Sequence, residues 1–263
     1  MSIFDWISSR CFGGSSPEIS PAEPLVDPDP FNGTVDGNDI NAWVYVPSGR
    51  IKNANRGAIA VHGGWIAGLV STYAPYVNMG WTTVYPNFEG EPDIYNQDPN
   101  RDAIELRDVA ILMKQRFPNL QSIDLVGVSL GCYRSLRAFA LYPQLFRRVV
   151  GMIGPINMHD PKRPYDWDAW TADGRHGDLV DDAKAFFDKA PDPMQLANEG
   201  RYTGLEKQII LIYGEKDKLC TPVTHFYPFI RRVKCLGTII EGAAHNVHRT
   251  VEGQKIAAAF LRK

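Results

Sequence analysis

The sequence predicts an α/β protein built on a mainly parallel, doubly wound sheet with helices on both faces. Three observations carry this expectation. Short apolar runs recur along the chain, each bounded by turn residues. Helix-length amphipathic stretches separate them. The runs are apolar throughout instead of alternating, which suits strands buried on both faces. Strand and helix in alternation imply crossovers between parallel strands.

Residues 1–33 are expected to be an arm without a fold of its own. The opening "MSIFDWISSRCFGG" has no basic residue before Arg10 and no long apolar core, so it does not read as a signal peptide. Ser15 to Pro30 is rich in proline and acidic residues, which favours an extended chain. Residues 34–263 are expected to form one domain. It begins with "TVDGNDINAWVYVP", where Asp36-Gly37 marks a turn. Ile40, Ala42, Val44 and Val46 then alternate with Asn41, Trp43 and Tyr45, the period of a half-buried strand.

Apolar runs at 57–63, 82–88, 122–128, 149–154, 208–214 and 235–242 are the predicted strands of the sheet. "NRDAIELRDVAILMKQRF" puts Ala103, Leu106, Val109, Ala110 and Met113 on one helical face. Further helices are predicted in "LGCYRSLRAFALY", "PVTHFYPFIRRV" and "VHRTVEGQKIAAAFLRK". Residues 155–204 interrupt the rhythm. A connection this long carries structure or function, and its aromatics include Tyr165, Trp167, Trp170, Phe186 and Phe187. It is expected to form a small cap or lid insertion, with Trp167 and Trp170 in a substrate pocket. A satellite core for extra helices is a compatible reading.

Composition excludes several classes. The 263 residues carry a formal net charge of −2, and basic pairs such as Arg147-Arg148 and Arg231-Arg232 are isolated, so no nucleic-acid partner is expected. No stretch approaches the apolar length of a membrane span. The four cysteines, Cys11, Cys132, Cys220 and Cys235, show no metal-like spacing. They read as reduced thiols, which suits a cytoplasmic location. Composition leaves a homo-oligomer open.

The chemistry concentrates in "DLVGVSLGCYRSL", where Gly127, Ser129 and Gly131 surround one strand-to-helix turn. G-x-S-x-G in that context is a nucleophile elbow, which lifts the serine hydroxyl clear of the backbone. A serine needs a base, and the base an orienting acid. In elbow proteins they follow in the order Ser, acid, His. "QIILIYGEKDKLCTP" leads into a loop with Glu215 and Asp217, and "TIIEGAAHNVH" into one with His245 and His248. Asp217 and His245 are the assigned partners of Ser129. Glu215, directly after its strand, is expected to face solvent or a helix. Backbone N–H groups must hold the developing oxyanion. Leu130 supplies one, and "HGGW" supplies the other from Gly64 or, next to it, Trp65. His62 precedes the serine and is expected to hold this loop. His159, His176 and His225 have no motif around them and are expected at surface or structural positions.

With these residues in place, the chain resembles the α/β-hydrolase superfamily. The carriers are "HGGW" at 62–65, "GVSLG" at 127–131, "YGEKD" at 213–217 and "GAAH" at 242–245. "LIYGEKD" and the single His-Gly-Gly are similar to the dienelactone hydrolase and prolyl oligopeptidase-type branch, which includes small carboxylesterases. Dienelactone hydrolases use a cysteine where this chain has Ser129. The length leaves no room for the propeller of full oligopeptidases, and "YPNFEGEPD" stands where that branch often has an Arg-Gly turn. The resemblance implies an α/β-hydrolase fold and a serine carboxylesterase that cleaves a small-molecule ester through an acyl-enzyme, with neither metal nor organic cofactor. A peptidase or amidase with the same triad, and a non-enzymatic binding module on the same fold, are the alternatives.

Overall fold

The computed structural model describes residues 28–47, 55–63, 80–88, 98–163, 165–168 and 180–263. Residues 1–27 of the expected 1–33 arm, along with Gly64, Trp65, Trp170 and His176, lie outside the described residues. The last residues of that stretch are folded, with Asp29 and Pro30 paired to Val44 and Trp43 and Phe31 buried in the core.

In chain order the strands are β1 (Asp29–Pro30), β2 (Gly33–Val35), β3 (Asn38–Ile40), β4 (Ala42–Tyr45), β5 (Arg56–Val61), β6 (Thr82–Pro86), β7 (Ser122–Val128), β8 (Arg148–Met152), β9 (Ile209–Gly214) and β10 (Leu236–Ile240). The helices are α1 (Arg101–Arg116), α2 (Leu130–Leu141), α3 (Val180–Lys189), α4 (Pro193–Asn198), α5 (Tyr227–Val233) and α6 (Val251–Arg262). Among the described residues eight strands form one sheet in the order β1-β4-β6-β5-β7-β8-β9-β10. β1 and β4 pair antiparallel at one edge. From β6 onward every pairing is parallel. The fully apolar runs became the central strands because both their faces are covered: every residue of β9 is buried, as are Val149–Met152 of β8. α1, α2, α4 and α5 pack in sequence on one another, whereas α6 packs on β8 and β9.

The stretch read as one strand from Ile40 to Val46 divides. β2 and β3 form a separate two-stranded hairpin around Asp36-Gly37, both at positive φ. This hairpin docks on α1, where Arg101 donates to Asn38 Oδ1 at 2.6 Å and Asn38 donates to Asp108 at 3.0 Å. β4 turns into the main sheet beside β6. The chain changes sheets at Asn41, so one alternation cannot run through it. Val46 falls beyond the strand and is exposed, while Tyr45 is buried, edge-on to Tyr85 at 5.3 Å. Two predicted helices are also subdivided. Pro222–Phe226 forms a π-helical turn before α5. Thr250 caps α6 by accepting from the Gly253 N–H, which leaves Val247–Arg249 as a separate 3-10 turn.

Polar side chains lock the layers. Arg137 on α2 and Asp102 on α1 are both fully buried and pair at 3.0 Å. Arg137 also donates to the carbonyls of Pro99 and Pro191. At the opposite end of the sheet Arg147 pairs with buried Asp124 and donates to the Leu261 carbonyl, and Arg148 donates to that of Phe260. Cations there suit the carbonyl end of α6.

Candidate active site

Ser129 joins β7 to α2 at φ 54°, ψ −122°. A non-glycine residue there costs about 1–3 kcal/mol and persists only where its surroundings enforce it. Here they do. A Cβ on Gly127 would lie 2.1 Å from the Gly131 carbonyl oxygen, and one on Gly131 would lie 2.1 Å from that of Val61. Only glycine on both sides lets the strand turn into the helix this tightly. The Ser129 N–H donates to the Met152 carbonyl at 2.9 Å, which ties the elbow to β8.

The loop after β9 supplies Asp217, which is 3% exposed. Its Oδ1 accepts from the N–H groups of Leu219 and Cys220, both at 2.9 Å. Its Oδ2 lies 2.8 Å from His245 Nδ1. His245 comes from the loop after β10, and its Nε2 lies 3.0 Å from Ser129 Oγ. With the Nδ1 proton donated to the carboxylate, Nε2 keeps its lone pair for the serine hydroxyl. Three residues from three separate loops therefore form one hydrogen-bonded line.

The other candidates are placed elsewhere. Glu215 is exposed and accepts from the Gly242 N–H at 2.9 Å. His248 is half-buried and, among the described residues, hydrogen-bonds to neither Ser129 nor Asp217. Burial and the neighbouring Arg249 push its imidazole down to about 4. His62 is buried edge-on to Phe88, with Nδ1 3.2 Å from the Gly63 carbonyl. Burial, helped by Arg134, lowers its pKa to about 4 as well. Gly63 abuts the elbow, since a Cβ there would come within 2.7 Å of Ser129 Cβ. Leu130 opens α2, so its N–H has no carbonyl partner within the helix. Trp167 is half-buried, edge-on to Tyr165 at 5.0 Å and tilted against Phe187 at 5.7 Å. Phe187 in turn packs on Tyr133 of α2. Among the described residues no group of three or more His, Cys, Asp or Glu side chains is arranged to hold a metal, and no helix is long and apolar enough to cross a membrane.

Solved structures with this architecture are numerous. A Pyrococcus furiosus esterase superposes with a TM-score of 0.65 at 17% identity, over 90% of this chain and 91% of its own. The fold is that of the α/β hydrolases. A Xanthomonas campestris α/β serine hydrolase without a lid matches over 92% of this chain and 97% of its own, with a TM-score of 0.56 at 17% identity. A Pyrococcus horikoshii acylaminoacyl peptidase matches over 90% of this chain, with a TM-score of 0.63 at 16% identity, and this chain spans 40% of its length. No protein-family model and no curated protein sequence matches the chain.

Several residues around this site were not singled out by the sequence. Ile153, just past β8, has φ 47° although it is β-branched and fully buried. Asp192 is fully buried, and its Oδ2 accepts from the N–H groups of Met158 at 2.7 Å and His159 at 3.1 Å. Its Oδ1 caps α4 through the Gln195 N–H, and Gln195 reciprocates. The spacing D-x-x-Q was the available signal for that cap. His225, in the π-helical turn, is 2% exposed, and its Nδ1 accepts from the Asn157 N–H at 3.1 Å. No local pattern marked it.

Proposed function

We propose that this chain is a serine carboxylesterase that hydrolyses small-molecule esters through an acyl-enzyme. The observation that carries the reading is the hydrogen-bonded line from Ser129 through His245 to Asp217. Ser129 Oγ attacks the ester carbonyl carbon while its proton passes to His245 Nε2. The tetrahedral intermediate collapses, the carbon–oxygen bond to the alcohol breaks, and His245 returns the proton to the departing oxygen. Water then adds to the acyl-enzyme with His245 again as base, and the acid leaves as Ser129 regains its proton. Asp217 fixes the imidazole tautomer. The oxyanion is held by the N–H of Leu130 and that of Gly64 or Trp65, with the N-terminal end of α2 adding favourable potential.

In this reading the hydrolase domain, expected from residue 34 to 263, also takes in β1, which pairs with β4, and residues 155–204 are its cap, whose Trp167 and Trp170 meet the non-reacting part of the substrate. Similarity to an esterase along nearly the whole of both chains supports ester over peptide substrates. Similarity to an acylaminoacyl peptidase favours the second reading, a peptidase or amidase with the same triad. Turnover of matched ester and anilide substrates separates the two.

A fluorophosphonate probe should label the wild type at Ser129. Ser129→Ala and His245→Ala should each lower ester turnover by roughly 10⁴–10⁶-fold, and the double variant should lose little more, because triad members act as a unit. Absence of labelling on the folded wild type would refute the reading.

A further inference from the structure

The sheet order sets a spatial problem for the triad. Ser129 follows β7 and Asp217 follows β9, with β8 between them. Two strand spacings are about 10 Å. The His245 ring bridges that gap, with contacts of 3.0 Å to the serine and 2.8 Å to the acid. A β8 continued straight would run its backbone towards the space the imidazole spans. The chain instead turns at Ile153 with positive φ, its N–H still donating to the Ile212 carbonyl at 3.0 Å. Such a conformation at a β-branched residue lasts only where the chain beyond it is held.

It is held from both sides. The carboxylate of Asp192 takes the N–H groups of Met158 and His159. From the side of the acid loop, His225 Nδ1 takes the Asn157 N–H, and the Asn157 side chain donates to the Thr224 carbonyl at 3.1 Å. The His225 turn begins at Pro222, five residues after Asp217, and Tyr165 covers it edge-on at 6.1 Å. The diverted chain is thus tied to the same loop that presents the acid. Burial lowers the pKa of His225 to about 4, so at neutral pH Nδ1 keeps the lone pair this bond needs.

We propose that His225 is a positioning residue: by fixing the Asn157 backbone it keeps the chain leaving β8 clear of the space that the His245 imidazole bridges. The role rests on the reading of Ser129, His245 and Asp217 as a triad. His225 touches none of the reacting atoms.

The test compares three variants on the full chain, well below the melting temperature. His225→Leu removes the acceptor. His225→Asn keeps a neutral acceptor near the Nδ1 position. Phe229→Leu, in the core of α5 against Tyr202, is a stability control. The readouts are the rate of fluorophosphonate labelling at Ser129 and the separate kcat and KM for a minimal acetate ester. H225L should label at least tenfold more slowly, with kcat reduced in proportion and KM within twofold of wild type. H225N should recover to within threefold of wild type, and F229L should label at the wild-type rate whatever its loss of melting temperature. Asn157→Ala removes the side-chain bonds to the Thr224 carbonyl and to Asp160 Oδ2 and should give the same split, two- to fivefold in kcat. If H225L does not fold, N157A and H225N decide. An N157A variant with unchanged kcat, an H225N variant that labels at least tenfold more slowly, or an H225L variant no slower than F229L would overturn the proposal. A wild type that fails to label sinks the triad reading instead, so the two failures are distinguishable.

Discussion

Replacing His225 by asparagine should flatten the acid side of the stability profile. The imidazole is 2% exposed and accepts from the Asn157 N–H, and burial lowers its pKa from 6.5 to about 4 despite Asp217 and Asp160 nearby. In the unfolded chain the same group titrates near 6.5. As pH falls below 6.5 the unfolded state takes up a proton that the native state refuses until about pH 4, so stability present above pH 6.5 is lost on the way down. The loss is about 1.4 kcal/mol per pH unit in that window. Between pH 7 and 5 it amounts to about 2 kcal/mol, or roughly 4–8 °C in melting temperature for a chain of this size. Asparagine accepts without titrating, so H225N lacks this slope. Urea titrations of both proteins at half-unit pH steps, with the difference plotted against pH, isolate the one group, because His62 and the carboxylates cancel. The difference should be constant above pH 7 and move against the wild type by about 2 kcal/mol at pH 5. Parallel profiles would mean that His225 protonates as readily in the fold as out of it, and the buried acceptor role would be wrong.

Other outcomes follow from named contacts. Asp217→Asn should lower kcat by about 10³–10⁴-fold with the fold intact, because the amide no longer enforces the Nδ1–H tautomer of His245. Glu215→Gln, exposed and with its carboxylate accepting from the Gly242 N–H, should stay within about twofold of wild type; if it is the crippling change, the acid is misassigned. Asp102→Ala strands Arg137 in the interior and should cost about 3–5 kcal/mol in urea unfolding, whereas the double change to leucine and methionine should cost much less; equal costs would deny the pair its buried charge. Trp167→Ala should shift KM and ester-length preference more than turnover of an acetate ester. A lower melting temperature with an unchanged length profile would assign Trp167 to a satellite core instead.

What was legible in the sequence is what a short window enforces. The elbow needs glycine on both sides of Ser129 because backbone from Val61 and Gly131 sits where a Cβ would be, and that demand leaves its trace within five residues. The order Ser129, Asp217, His245 was legible because each follows an apolar run and successive parallel strands deliver their loops to one edge. Even the errors are local in kind. The alternation at Ile40–Val46 is real, but a change of sheet at Asn41 cuts it, and no residue type announces that change.

The clasp around Asn157 was illegible for a different reason. Its members lie 68 residues apart for the His225 bond and 34 for the first Asp192 bond, and each contact is one donor meeting one acceptor. A histidine without a motif and an aspartate before a proline satisfy many environments. Only the fold decides that these two meet the same stretch of backbone from opposite sides. Ile153 carries the same lesson more sharply. A β-branched residue is a poor choice for positive φ, so no sequence rule would put the turn there. Yet its side chain is fully buried, where a glycine would leave a void. The apolar site keeps the isoleucine, the tethers at Asn157, Met158 and His159 enforce its strained backbone, and the turn keeps β8 from running on between the serine and the acid.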